Sequence, residues 1–309
     1  MLTLGIYKKE QYQRLGKERR FAGPRAAYNL LRLDENPTAE DIRAFEDIYF
    51  TMRTSNETFR TTFRDRFRDV DAAAMRWIAE LVADGRTDAP IRIQDRAVSS
   101  GLTSAEWAQS LYDRFPNVEF EASDLLTELR ELAGNGESWM LEPNGTLLQY
   151  IRPPFVVSMH HPESWRNPLL RWVAARAKKR FSAIRVSDYE MRRISCIHPE
   201  AQALVRIRPG FRFEVRSIFD RTPGACDVLR TMNILNRSYF SAEQLADAID
   251  AIFDSLRPGG IWIVGRTMED NFRNHATFFR RGESGWEVLE RIGDGSEIEE
   301  LALQGQVPA

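Results

Sequence analysis

Cysteine is nearly missing from this chain: Cys196 and Cys226 are the only two in 309 residues. Two thiols do not make a disulfide framework. They read as reduced core side chains in a reducing compartment. Long apolar runs are missing too. None approaches the roughly 18 residues that a membrane span needs. Residues Met1 to Arg20 carry charges where a secretory signal has its apolar segment, so the expected location is cytoplasmic. Charge of one sign is also lacking. The formal net charge is −2, which gives no bulk attraction to nucleic acid, and no nucleic-acid partner is expected. Lysine is scarce, five of the 43 basic residues, so local basicity falls to arginine. There is no P-loop, no nucleophile elbow, no internal repeat and no low-complexity segment.

What is present describes a globular chain with a real core. Hydrophobic residues make up 43%, an ordinary share. The length suits one large domain, or one domain with an appendage. Residues 1–88 read as a helical N-terminal domain, a lid or a dimer surface. Thr38-Ala39-Glu40-Asp41 has the acids of a helix first turn. Ile42, Phe45, Ile48 and Phe50 follow at helical spacing. A second helix is predicted near 70–82, with Met75, Ile78, Leu81 and Val82 on one face. From residue 89 strands and helices alternate, which predicts an α/β domain over 89–309. A subdomain is inserted at about 127–210. It has a hairpin around Asn144-Gly145 and a basic helix near 167–181.

The most informative stretch runs from Ile91 to Gly101. It reads as a buried strand ending in small residues and opening a helix at 103–115. A second strand, 118–122, follows and ends at Ser123-Asp124. This is the front half of a nucleotide-binding βαβ unit. The small-residue turn lets a ligand approach backbone N–H groups at a helix start. The carboxylate of Asp124 suits the two hydroxyls of a ribose. Further along, strands are predicted at 213–218 and 227–232. A helix over 241–255 has Ser241 as N-cap. Pro258-Gly259-Gly260 turns into a strand at 261–265, and an antiparallel pair, 276–280 and 287–291, closes the domain.

This order resembles the class I S-adenosylmethionine-dependent methyltransferases over residues 91–292. That family's first motif is an acid with glycines two, four and six residues later. The same register here gives Asp95, Ala97, Ser99 and Gly101. The resemblance implies a Rossmann-like sheet, parallel with an antiparallel C-terminal strand, and S-adenosylmethionine as cofactor, leaving as S-adenosylhomocysteine. It implies ribose binding by Asp124, an adenine bracketed by Ser217 and Ile218, and a pocket contact from Asn233. Leu256-Arg257-Pro258-Gly259-Gly260 before a strand is a further family signature. A narrower resemblance to the chemotaxis-receptor glutamate methyltransferases rests on Asn56-Glu57-Thr58 followed by Thr62-Phe63-Arg64. It implies cofactor contacts from Asn56, Thr58 and Arg64. Asn233-Ile234 and Tyr239-Phe240 match that family in part, but the Glu-Glu-Pro-Tyr-Ser segment is replaced by Leu102-Thr103-Ser104-Ala105-Glu106. The expected reaction is methyl transfer to a small-molecule acceptor. The alternatives are a protein carboxyl methyltransferase and a non-catalytic cofactor-binding scaffold. A nicotinamide-dependent dehydrogenase shares the opening βαβ unit, but the Leu-Arg-Pro-Gly-Gly segment and the antiparallel end argue against it.

Other residues are candidates for chemistry. His160, His161 and Tyr239 are the candidate proton-transfer groups, because an imidazole holds a proton near neutral pH. His160-His161-Pro162-Glu163 and His198-Pro199-Glu200 have metal-ligand residue types, but their spacing matches no familiar site and no metal is expected. Residues 165–193 hold nine Arg or Lys against two acids, Asp188 and Glu190. That segment suits a solvated helix, an anionic membrane surface or an acidic partner. A homodimer through the helical N-terminus is a further expectation.

Overall fold

The computed structural model describes residues 27–56, 58–83, 85, 90–152, 155–160, 168–268 and 270–304. In chain order the elements are α1 (Ala39–Thr51), α2 (Arg68–Ala83), β1 (Ile91–Arg96), α3 (Leu102–Arg114), β2 (Val118–Asp124), β3 (Glu128–Gly134), β4 (Glu137–Leu141), β5 (Leu147–Arg152), β6 (Phe155–Ser158), α4 (Pro168–Phe181), β7 (Glu190–Ser195), α5 (Pro199–Ile207), β8 (Phe211–Val215), β9 (Cys226–Met232), α6 (Ala242–Ser255), β10 (Leu256–Thr267), β11 (Asn274–Arg281), β12 (Trp286–Ile292) and α7 (Glu299–Gln304). A 3-10 turn at Tyr28–Leu31 precedes α1. The chain divides into two compact units, Met1–Phe63 with Leu126–Pro199, and Arg64–Leu125 with Glu200–Ala309. The sequence reading draws its boundaries at 88 and at 127–210 instead. The units differ from it because α2 goes with the α/β sheet, whereas α1 shares a core with the inserted strands.

In the first unit, five antiparallel strands lie in the order β6-β5-β4-β3-β7. α1 starts as its sequence predicts. The Thr38 hydroxyl accepts the Asp41 N–H, and the Asp41 carboxylate accepts the Thr38 N–H, a reciprocal cap that satisfies orphan donors of the first turn. The face of α1 that packs differs from the predicted stripe at one residue. Phe45, Ile48 and Tyr49 are buried, while Phe50 is 41% exposed. These side chains share one core with Leu129, Met140, Leu148, Ile151 and Ile194 from the strands. The β4–β5 hairpin turns at the predicted place, with Gly145 at φ 87° and the Glu142 N–H donating to the Thr146 carbonyl.

The second unit is built on a seven-stranded sheet in the order β12-β11-β10-β9-β1-β2-β8. The five strands β8, β2, β1, β9 and β10 are parallel. β11 and β12 complete the sheet as antiparallel partners. The central strands are buried on both faces; all seven residues of β9 are buried, as a parallel sheet covered on both sides requires. α6 carries the predicted stripe. Leu245, Ile249 and Ile252 join Leu229, Trp262, Val264 and Phe279 in one core. Ser241 caps α6 in a reciprocal pair with Gln244. This sheet is the open, Rossmann-like α/β architecture that the sequence predicts.

Two details differ from the sequence reading. β8 ends at Val215, so Ser217 and Ile218 lie in the turn after it rather than in the strand. The Arg257-Pro258-Gly259-Gly260 stretch is not a separate turn but an irregularity inside β10, where the register with β9 shifts between Leu256 and Ile261. A Cβ on Gly260 would meet the Arg257 and Asp227 carbonyls at 2.8 and 3.0 Å. Both cysteines stand unbridged and buried, and burial pushes the Cys226 thiol up to about 12, against the opposing pull of Arg96. Among the described residues, no helix is long and apolar enough to cross a membrane.

Candidate functional site

Strand order reverses between β1 and β9: the chain goes outward from β1 to β2 and β8 on one side, and through β9 and β10 on the other. Ligands of open α/β sheets bind outside the carboxyl ends of the strands at such a switch point. Four of the predicted cofactor residues stand there: Asp95 in β1, and Ala97, Ser99 and Gly101 in the loop that leaves it. Two more are close by in the fold, Asp124 at the end of β2 and Asn233 just past β9.

The loop after β1 has an alternating left-handed backbone. Ala97, Ser99 and Gly101 take φ values of 60°, 61° and 75°. Only glycine visits this region freely; an L-residue with a Cβ loses about 1–2 kcal/mol there. Ala97 and Ser99 therefore hold a conformation made for glycine, although neither is glycine. Three hydrogen bonds hold it. The Val98 N–H donates to the Ser123 carbonyl at 3.2 Å, and the Gly101 N–H to the Val98 carbonyl at 3.0 Å. The Ser99 N–H donates to Oδ2 of Asp124 at 2.7 Å. Gly101 begins α3, and a Cβ on it would come within 2.5 Å of the Phe213 ring.

Asp95 has a different environment from the one its motif position implies. Its Oδ1 accepts from Nε of Arg230 at 2.9 Å. Its Oδ2 accepts from Ser104 Oγ at 2.6 Å and from Nη2 of Arg230. Arg230 lies directly across from Asp95 in the β1–β9 register. It is fully buried, and it also pairs with Asp71 of α2. Its guanidinium lies 4.1 Å from the centre of the Trp107 ring and 5.2 Å from that of Phe67. One cation thus ties β9 to β1, α2 and α3. Burial pushes the Asp71 carboxyl up to about 7, against the opposing pull of Arg230. The two acids hold the Arg230 guanidinium charged despite its burial. Sequence reasoning missed Arg230, Asp71 and Ser104. The one available signal was an arginine inside the otherwise apolar run Val228-Leu229-Arg230.

Asn233, at φ 62°, ties the ends of β9 and β10 together. Its N–H donates to the Gly265 carbonyl at 2.8 Å, and its Oδ1 accepts the Thr267 N–H at 2.7 Å. The Thr267 hydroxyl passes the network on. It accepts from Nε of Arg66 at 3.1 Å and donates to Asn274 Oδ1 at 2.8 Å. Arg66 and Asn274 line an open cleft of about 930 Å³ in this unit, with Arg68, Asp69, His275 and Asp294.

The other predicted residues stand on other elements. Ser217 closes a turn, its N–H donating to Asp220 Oδ2 at 3.0 Å, and Ile218 is buried in the core beside α6. Tyr239 is 37% exposed in the turn before α6. Arg64 pairs with Glu200 at 2.6 Å. Asn56 and Thr58 belong to the first unit. There the Asn56 side-chain oxygen accepts from the hydroxyls of Thr54 and Thr58. His160, also in the first unit, has Nε2 3.2 Å from the Leu147 carbonyl. His161 lies outside the described residues. Among the described residues no group of three or more His, Cys, Asp or Glu side chains is placed to hold a metal ion.

No family model matches the chain, and no curated protein matches it. Solved structures do. The CMeT domain of citrinin polyketide synthase is 16% identical, over 75% of this chain and 41% of that one, with a TM-score of 0.33. The DszA carbon methyltransferase is 13% identical, over 67% and 37%, with a TM-score of 0.35. The S-adenosylmethionine-dependent methyltransferase SibL is 15% identical, over 59% and 33%, with a TM-score of 0.28. The chain spans less than half the length of each of these structures.

Proposed function

We propose that this protein binds S-adenosylmethionine at the carboxyl ends of β1, β2 and β9 and transfers its methyl group to a small-molecule acceptor. One observation carries the reading. The loop Ala97–Gly101 keeps the alternating left-handed backbone of a glycine-rich nucleotide turn even where the glycines are replaced, and it is pinned to the Asp124 carboxylate. Strain held at a ligand-binding turn is a recurrent mark of function.

The residues fit a sulfonium nucleoside in size and in hydrogen-bonding type. Asp124 would accept from the ribose hydroxyls. The loop residues Ala97, Ser99 and Gly101 would let the nucleoside lie against the backbone. Asn233 and the β8 turn at Ser217-Ile218 are the expected further contacts. When bound, the cofactor supplies an electrophilic methyl carbon on sulfur. The protein's part is to hold an acceptor atom about 3 Å from that carbon and in line, since positioning supplies much of the rate. An acceptor of high pKa also needs its proton removed. In the second unit the candidate for this is the partly exposed phenol of Tyr239, and Tyr239→Phe tests it by its effect on kcat. The engagement of Asp95 with Arg230 and Ser104 makes it a positioning residue for the loop in this reading.

Thermal unfolding with S-adenosylmethionine, S-adenosylhomocysteine and NAD tests the proposal. A ligand at a hundred times its Kd stabilises by about 2.7 kcal/mol. Stabilisation by both sulfur nucleosides and not by NAD is the expected result. No shift with either sulfur nucleoside would retire the cofactor. Binding without methyl transfer to any acceptor in a small-molecule panel would favour a non-catalytic binding protein.

A further inference from the structure

We infer that the outward face of α4 is a docking surface for an anionic lipid bilayer, independent of the cofactor reading. The helix has two unlike faces. Val173 and Ala177, with Leu169, Ala174 and Phe181 beside them, pack into the core under β4, β5 and β6. The opposite face carries Arg171, Trp172, Arg176, Lys178 and Lys179, all exposed. From Pro168 to Ser187 there is no acidic residue, and six cations stand in that stretch of a chain whose formal net charge is only −2.

One of these six cations is structural. Arg180, its side chain 47% exposed, is tied to the sheet. Its Nε and Nη2 donate to Oε1 of Glu137 at 3.0 and 2.9 Å. Glu137 is buried and also accepts from the hydroxyls of Tyr150 and Tyr189, at 2.9 and 2.7 Å. That cluster fixes the roll of α4 on the sheet, and so fixes which side chains face outward. Packing leaves Trp172 59% exposed, with the Arg176 guanidinium 5.6 Å from its ring centre. Beyond the helix, Val186 is 56% exposed, next to Arg185 in sequence.

A solvated helix needs no exposed tryptophan, and a purely electrostatic partner needs cations alone. The combination of an indole with arginine and lysine and no carboxylate matches the chemistry of a bilayer interface, where the ring sits among headgroups and the cations meet lipid phosphates. Charge complementarity therefore names an anionic bilayer as the occupant. An acidic protein and a nucleic acid are the alternatives that the test separates.

The test is co-sedimentation of the full chain with phosphatidylglycerol vesicles and with phosphatidylcholine vesicles. Binding to the first and not the second is expected, and it should be lost at high salt. Arg171→Glu with Lys179→Glu should lower partitioning by about tenfold or more. Trp172→Ala should also weaken it, and should remove the quenching of tryptophan emission by brominated lipid. Circular dichroism and the melting temperature of both variants should match the parent, because these side chains face outward. No sedimentation with phosphatidylglycerol, or sedimentation unchanged by the substitutions, would overturn the inference. So would binding that Trp172→Ala leaves intact while polyglutamate or duplex DNA competes fully, since that result describes adhesion by charge alone.

Discussion

The backbone N–H of Ser99 donates to the Asp124 carboxylate across 2.7 Å, so the turn after β1 and the end of β2 are one hydrogen-bonded unit. The carboxylate that would meet a ribose is also the one that holds the loop. Asp124→Ala should therefore abolish the thermal shift given by S-adenosylmethionine. It should also lower the melting temperature of the ligand-free protein, because a strained N–H loses its acceptor, at about 1–3 kcal/mol. An unchanged ligand shift would remove Asp124 from the site.

Ala97 and Gly101 share a backbone conformation but not a residue type, which gives opposite expectations for exchange. Ala97→Gly removes left-handed strain and adds chain entropy to the unfolded state, so it should be neutral or stabilising by up to about 1 kcal/mol. Gly101→Ala adds strain and places a Cβ 2.5 Å from the Phe213 ring, and should destabilise by roughly 2 kcal/mol or more. Urea unfolding of the two variants measures both. Ala97→Gly that destabilises by over about 1 kcal/mol would contradict the loop geometry.

Arg230 is buried between two acids and two aromatic rings. Arg230→Met leaves Asp95 and Asp71 without their cation and should destabilise by about 3–5 kcal/mol. Arg230→Lys should rescue little of this, because an ammonium cannot reach two carboxylates as a planar fork does. Chemical denaturation of the three proteins decides it. A loss below about 1 kcal/mol for Arg230→Met would mean that the ionic cluster contributes nothing to the fold.

Asp71 binds its proton more tightly in the folded protein than unfolded, its carboxyl being raised by burial from 3.8 to about 7. A raised acid stabilises where it is protonated in the folded state, so its contribution is full below about 4 and is lost as pH rises toward 7. Asp71→Asn carries no such proton. The difference in unfolding free energy between parent and variant should therefore change steadily between those pH values and level off above them. A difference that is flat from pH 4 to pH 7 would show that Asp71 titrates normally.

Much of the second unit was legible along the chain. Ile91 to Gly101, 118–124, Ser241 to Ser255 and the closing strand pair all stand where periodicity and capping residues put them, because each is decided by neighbours within a few positions. The site was legible in part. The sequence puts Ala97, Ser99, Gly101 and Asp124 at the ends of β1 and β2, and they stand there. Arg230 was not legible, since a lone arginine in an apolar strand has no local reason to be there. Its reason lies in Asp95 and Asp71, 135 and 159 residues away in sequence. The division of the chain was also invisible. Nothing near residue 63 or 126 marks a boundary, and α1 joins the inserted strands through packing that includes Phe45, Ile48 and Tyr49.

By itself, the sequence determined the parallel sheet, the turn of small residues after its first strand, and the carboxylate at the end of the second. Alternation, periodicity and turn chemistry are local properties, and local properties survive without the fold. The tertiary structure alone decided that Ala97 and Ser99 adopt a glycine's backbone, that Asp95 faces a buried arginine, and that Trp172 faces outward. Each depends on groups distant in the chain: strain needs an anchor such as Asp124, a buried charge needs its counter-charges, and a helix shows an outer face only once its other face has found a core.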